Sequence, residues 1–187
     1  MTVCMLTGPD PALERPDSLK CGLDLHDPDM SQSDLLERSD PPTVVYTDGS
    51  CLYNPGPGGW AWAIPGGRYR SGCEAESTNQ RMELAAVIEA ARSIEGPLEI
   101  RSDSSYVVNC FKDGWWEGWL QRGWVNTRKK PVANRDLWEP LVDIYRTRNI
   151  TFSKVRGHSG NRWNDLVDEL ARRAATHQEG QAGERAG

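Results

Sequence analysis

Three strand-like runs precede helical stripes that alternate with two further strand-like runs, and this order, confined to residues 43–176, is what most limits the fold. Thr43–Asp48 (TVVYTD) is β-branched and aromatic and lies between Pro42 and Gly49, so it reads as a strand. Asn54–Gly59 (NPGPGG) is a turn or loop by composition. Trp60–Ile64 alternates large and small, and after Pro65-Gly66-Gly67 the run Arg68–Glu74 returns as a third strand. Leu84, Val87, Ile88, Ala91 and Ile94 recur at three and four residues and predict a helix over Thr78–Ile94, capped by Ser77 or Thr78 and stopped by Gly96-Pro97. Leu98–Ser102 is a fourth strand and Ser104–Phe111 a short helix. Asn134–Arg148 is a helix, Ile150–Val155 a fifth strand and Asn161–Ala175 the last helix. The order β-β-β-α-β-α-α-β-α is that of a mixed sheet with helices packed on it, an α/β layer architecture. Hairpins join the first three strands, and crossovers bring the fourth and fifth in parallel to the first.

Charge divides the chain. Residues 1–42 hold nine acids against three bases, no Phe, Tyr or Trp, and six of the twelve prolines; their net charge of −6 leaves +1 for the rest. Such a segment cannot bury enough apolar surface to offset the entropy of ordering it, so 1–42 is expected to be a disordered acidic arm. Residues 177–187, rich in Gly, Ala, Glu and Gln, read as a flexible tail. No apolar stretch is long enough to span a bilayer, and no basic-then-apolar leader follows Met1. The five cysteines form no C-x-x-C pair, so neither a zinc site nor a disulfide framework is expected, and a reducing cytoplasm fits best.

Four acids fall at element ends or edges: Asp48 at the end of strand one, Glu83 one turn into the first helix, Asp103 after strand four and Asp168 in the last helix. If strands one and four are neighbours, Asp48 and Asp103 lie side by side at their carboxyl ends, where α/β sheets place ligands. Like charges so close cannot both stay ionised without a cation, and hard divalent ions take carboxylate oxygens. Four such acids can hold two ions for phosphoryl displacement. Singly, each reads more readily as a cap or a solvated surface group, Asp103-Ser104 can simply cap a helix, and it is the joint placement that points to a site. His158, in the Gly-flanked VRGHSGN segment, is either a solvated loop residue or a proton shuttle beside the acids.

Residues 112–138 carry five of the eight tryptophans (115, 116, 119, 124 and 138) and a net charge of +3. Aromatics interleaved with bases suit a nucleic-acid groove, through stacking and phosphate neutralisation. Some of these rings must be core anchors instead, and Trp119 and Trp138 are the expected ones. NPGPGG is no phosphate-binding P-loop, because no Gly-Lys-Ser/Thr follows.

The strings YTDGSCLYNPGPGGWAWAI, STNQRMELAAV, RSDSSYVVN, RGWVNTRKKPVANRDLWEPL and VRGHSGNRWNDLVDELARRA together resemble the type-I ribonuclease H family in its bacterial form, in order and near-family spacing over roughly 43–175. The resemblance implies a ribonuclease H-like fold with a five-stranded mixed sheet in the order 3-2-1-4-5 and helices on both faces. It implies a monomeric endonuclease, dependent on two Mg²⁺ ions with Mn²⁺ as a possible substitute, that hydrolyses the RNA strand of RNA–DNA hybrids to 3′-hydroxyl and 5′-phosphate ends. By this likeness Asp48, Glu83, Asp103 and Asp168 hold metal and His158 assists proton transfer or product release. Cys51, Asn54, Asn79 and Gln80 touch the substrate backbone and minor groove. Trp115, Trp119 and the basic stretch with Arg122, Lys129 and Lys130 face the DNA strand. The chain departs from the family pattern where Leu120-Gln121 replace lysines, where Gly118 replaces an amide side chain, and where Ser105 replaces a longer amide beside Asp103. Two other readings stand beside this one: a DNA resolvase or integrase nuclease of the same superfamily, and a hybrid-binding module that does not cut.

Overall fold

The computed structural model describes residues 41–157 and 160–184. The arm up to residue 40, His158, Ser159 and the last three residues lie outside it. Strands β1 (Thr43–Cys51), β2 (Gly56–Ala63) and β3 (Arg68–Ser77) precede α1 (Asn79–Ser93), β4 (Leu98–Ser102), α2 (Ser105–Lys112), α3 (Trp115–Gln121), α4 (Arg135–Thr147), β5 (Ile150–Lys154), α5 (Arg162–His177) and β6 (Ala182–Glu184). The sheet order is β5-β4-β1-β2-β3-β6. β1, β2 and β3 pair antiparallel, while β4 runs parallel to both β1 and β5.

The expected 3-2-1-4-5 order is therefore present, with a sixth strand added. β6 pairs antiparallel with β3, Arg68 opposite Glu184, in a segment whose composition predicted a loose tail. Its pairing comes from the free edge of β3 rather than from burial, since Ala182 and Glu184 are exposed. The end of NPGPGG also differs from expectation: Gly56–Gly59 belong to β2, and β1 runs on past Asp48 to Cys51, where Ser50 and Cys51 pair with Gly59 and Gly58.

The period-two alternation of β1 sends Val45 and Tyr46 into separate cores. Val45 packs with α1, α2 and α4, while Tyr46 packs with Ala61, Ala63 and the Leu166–Val167–Leu170–Ala171 stripe of α5. α5 sits close to the sheet because β2 is small there. A Cβ on Gly59 would lie 2.2 Å from the Ala171 carbonyl oxygen and 2.5 Å from the Ala175 nitrogen.

The tryptophan-rich segment folds around Trp138, which is fully buried. Its ring meets Tyr106 and Trp119 edge-on at 5.2 and 5.3 Å, and its Nε1 donates to the Tyr106 hydroxyl at 2.7 Å. Trp138→Ala would cost about 3–5 kcal/mol on packing alone. Trp138 is a core anchor as expected, but Trp119 is only partly buried, and the second buried ring of the segment is Trp124. Trp124 has a positive φ of 64°, so the chain reverses there and turns its ring inward.

Candidate active site

The register of β1 and β4 builds the centre of the site. Thr43 opposes Leu98 and Tyr46 opposes Arg101, and the same offset carried two residues further sets Asp103 opposite Asp48. β4 stops at Ser102 whereas β1 continues, so Asp103 stands at the open end of the sheet beside a strand still paired on its other side. The Gly49 N–H donates to Asp48 Oδ1 at 2.8 Å.

Gly49 also admits the third acid. A Cβ there would lie 2.1 Å from the Glu83 nitrogen and 2.2 Å from the Met82 carbonyl carbon, so only glycine lets α1 come this close to β1. Glu83 is thereby brought to the acids of the sheet. The Ser104 hydroxyl, which also caps α2, donates to Glu83 Oε2 at 2.6 Å. Asp103 Oδ2 accepts from Asn164 Nδ2 at 3.3 Å, and Gly157 stands so near that a Cβ on it would lie 2.8 Å from that oxygen. Asp168 lies one turn beyond Asn164 on α5, on the same helix face.

The charges of the other three acids reach Asp48. The Asp48 carboxyl is pushed up to about 8, first by burial and then by the charge of Asp103, with Asp168 and Glu83 adding to it against the Gly49 N–H. Glu83 is also raised, by burial and by Asp103, while the Ser104 hydroxyl opposes the rise. Among the described residues no three Asp, Glu, His or Cys side chains already form a metal shell. Asp48 feels the charges of the other three acids, and Asp48, Glu83 and Asp103 each accept one hydrogen bond from a neutral donor, Gly49 N–H, the Ser104 hydroxyl and the Asn164 amide. That donor set still fits a hard divalent ion, because carboxylate oxygens from four elements share a site where at least one must otherwise stay protonated. Mg²⁺ fits an open set of this kind, since it keeps waters and substrate phosphates among its ligands.

The residues expected to meet a substrate fall on two surfaces. The Cys51 N–H donates to Asn79 Oδ1 at 2.7 Å, joining the end of β1 to the start of α1. Asn54, Asn79 and Gln80 are exposed there. Elsewhere Trp115, exposed at 38%, bounds with Trp119, Arg122, Asn126 and Thr127 a space of about 300 Å³. Beside it Asn126 Oδ1 accepts from the Arg128 and Lys130 N–H groups at 2.9 and 3.1 Å, a turn that leaves Arg128, Lys129 and Lys130 in solvent.

Two departures from the family pattern acquire structural consequences. The Arg122 guanidinium occupies the room that Gly118 leaves, since a Cβ on Gly118 would lie 2.8 Å from Arg122 Nη2. The Lys154 ammonium donates to the Ser105 hydroxyl, at the position where the family pattern has a longer amide. Sequence reasoning missed Ser104 and Asn164 as partners of the acids. The signal for Asn164 was its i−4 spacing from Asp168, and for Ser104 its place after Asp103, which capping alone already explained.

A mixed sheet whose adjoining strands, with a helix from each face, gather four carboxylates is the frame of a phosphodiester hydrolase. A sequence model of the RNase H family matches residues 40–176. The chain is 47% identical over 137 residues to a ribonuclease H from Syntrophomonas wolfei, spanning 70% of this chain and 94% of that protein. It is 45% identical over 136 residues to a ribonuclease H from Symbiobacterium thermophilum, spanning 70% and 92%. Its fold resembles the crystal structure of LC9-RNase H1, described as a type 1 RNase H with the type 2 active-site motif, with a TM-score of 0.65 and 33% identity over 78% of this chain and 80% of that one. The chain belongs to the ribonuclease H family and is an endonuclease of that class.

Proposed function

We propose that this chain hydrolyses the RNA strand of RNA–DNA hybrids with two bound Mg²⁺ ions, leaving 3′-hydroxyl and 5′-phosphate ends. The observation that carries the reading is the convergence of acids from separate elements: the β1–β4 register sets Asp103 opposite Asp48, Gly49 lets Glu83 approach, and the Asp48 carboxyl is raised first by burial and then by the charges of Asp103, Asp168 and Glu83. These four would hold the metal, which when bound supplies an activated water and the positive charge that stabilises the leaving oxygen.

The chain's own groups prepare that site. Ser104 and Asn164 orient Glu83 and Asp103 through one hydrogen bond each, the outer-shell support that metal-ligating carboxylates need. His158 follows Gly157, which touches Asp103, and would move a proton to or from the reacting phosphate or aid product release. Cys51, Asn54, Asn79 and Gln80 would meet the RNA strand across the minor groove, where the 2′-hydroxyls identify it. Trp115, Trp119, Arg122, Lys129 and Lys130 would take the DNA strand by ring contact and phosphate neutralisation. Backbone contacts carry no base code, so cleavage should depend little on sequence.

Among the described residues no helix is long and apolar enough to cross a membrane, and Cys51, Cys73 and Cys110 are free thiols. A monomer acting in the cytoplasm is part of the same proposal. The test is digestion of matched RNA–DNA, RNA–RNA and DNA–DNA duplexes with Mg²⁺ or EDTA. Cleavage of the hybrid's RNA strand alone, abolished by EDTA and by Asp48→Asn, is expected. Cutting of duplex DNA with the hybrid left intact would overturn the reading, and so would tight hybrid binding without products.

A further inference from the structure

One phenol oxygen beneath the acids ties three elements together. Asn161 caps α5 through Oδ1, which accepts from the Trp163 and Asn164 N–H groups at 3.1 and 3.4 Å. That fixes the orientation of its amide, and Nδ2 donates to the Tyr46 hydroxyl at 3.3 Å. The same hydroxyl accepts from Arg101 Nη1 at 3.2 Å. Arg101 lies over the Tyr46 ring, 5.8 Å from its centroid, and Glu99 steadies it with two hydrogen bonds at 2.9 and 3.1 Å. Tyr46 is only 4% exposed, so its hydroxyl works in a water-poor setting.

The positions of these residues mirror those of the acids. Tyr46 opposes Arg101 in the register that, two residues on, sets Asp48 opposite Asp103. Strand side chains repeat every second residue, so the polar rung 46–101 lies one step below the acid rung on the same face. On α5, Asn161, Asn164 and Asp168 follow at i, i+3 and i+7, one helix face. The two acids of the sheet and the acid of α5 thus each follow, on their own segment, a residue that carries or bonds this one hydroxyl: Tyr46, Arg101 and Asn161.

We propose that Tyr46 and Asn161 act as positioning residues: their hydrogen bond sets how far Asp168 and Asn164 stand from the Asp48–Asp103 rung, and thereby the affinity of the acid cluster for divalent ions. The inference rests on the reading of that cluster as a metal site. Loss of the bond keeps all four acids in the chain but lets the start of α5, and Asp168 with it, shift from the Asp48–Asp103 rung. Removing an outer-shell partner of a metal site typically weakens metal binding 10–100-fold. This bond lies one contact further out, so a smaller effect, about three- to tenfold, is expected.

The test uses Tyr46→Phe, which keeps the ring under Arg101, and Asn161→Ser, which keeps a capping oxygen but loses the reach to Tyr46. Mg²⁺ titrations of the full chain without substrate, followed by amide NMR shifts, measure affinity directly, and hybrid cleavage supplies kcat and KM. Each variant should raise the Mg²⁺ dissociation constant about three- to tenfold and leave the hybrid KM at saturating Mg²⁺ unchanged. The double variant should be no worse than the worse single one, because both remove the same bond. Wild-type Mg²⁺ affinity in either folded single variant, or effects that add in the double variant, overturns the clamp. A wild-type chain that binds Mg²⁺ and cuts hybrid while the variants match it removes the clamp alone, whereas a wild-type chain that does neither removes the metal-site reading and the clamp with it.

Discussion

Replacing Asp48 by Asn should abolish hybrid cleavage and yet make the metal-free protein more stable, by an amount that grows with pH. The Asp48 carboxyl rises from an ordinary value of 3.8 to about 8 on folding. Between those two values the native state keeps a proton that the unfolded chain has released, so stability falls as pH rises through the window. Each pH unit is worth about 1.4 kcal/mol, which sets a ceiling of roughly 5–6 kcal/mol at pH 8 and above. Asp48 is not wholly cut off from solvent, so about 2–3 kcal/mol is the gain to expect there. An Asn side chain still accepts from the Gly49 N–H but carries no charge, so it never meets the repulsion of Asp103, Asp168 and Glu83. Urea denaturation in EDTA at pH 4.5, 6, 7.5 and 9 measures this directly. The two proteins should be close at pH 4.5 and diverge steadily to pH 8, and Mg²⁺ should narrow the gap by stabilising only the wild type. A difference that stays flat across pH, or a variant less stable at pH 8, would refute the electrostatic account of the site.

Gly49→Ala places a carbon 2.1 Å from the Glu83 nitrogen, so α1 must retreat by an ångström or more. Urea titration should show a loss of about 1–3 kcal/mol, and steady-state kinetics a kcat about a hundredfold lower. Ser104→Ala removes a helix cap worth about 1 kcal/mol. It also removes the hydroxyl that holds Glu83 down, so the acidic limb of the pH–rate profile should move to higher pH. An unmoved limb would separate Ser104 from the chemistry. Arg122→Met should raise the hybrid KM several-fold and flatten its dependence on salt, because one phosphate contact is lost; an unchanged salt slope would show that Arg122 meets no phosphate. The buried Cys110 thiol is pushed up to about 12 by burial, so it should resist alkylation at pH 8 until the protein is unfolded, as peptide mass spectrometry would reveal.

What the sequence showed and what it hid follow from the range of the forces involved. Leu98–Ser102 was read with the bounds the structure has, because Gly96-Pro97 and the cap at Ser104 mark both ends locally. The helix Trp115–Gln121 escaped, since seven residues entered through a left-handed Gly114 are too few to show a period. β1 was expected to stop at Asp48 because Gly49-Ser50-Cys51 has the composition of a turn. The glycines Gly58 and Gly59 across the sheet are what make that stretch a strand. Trp124 went unnoticed as a core residue for the same reason: its inward turn depends on a backbone angle that no side-chain pattern announces.

The acids show most clearly where local reading ends. Each one alone is an ordinary surface residue, and nothing within ten positions of Asp48 separates it from a turn carboxylate. What makes it chemical is the offset between β1 and β4, the missing side chain at Gly49 and the near approach of α5, all of them long-range facts. The five strings carried that information only jointly, since their order and spacing stand in for the contacts they make. Ser104, Asn164 and the Tyr46–Asn161 bond lay inside the same strings and went unread, because a partner's role is defined by what it touches. The acids can therefore be found from order and spacing, but the shell that tunes them becomes visible only when strand register and helix face are both known.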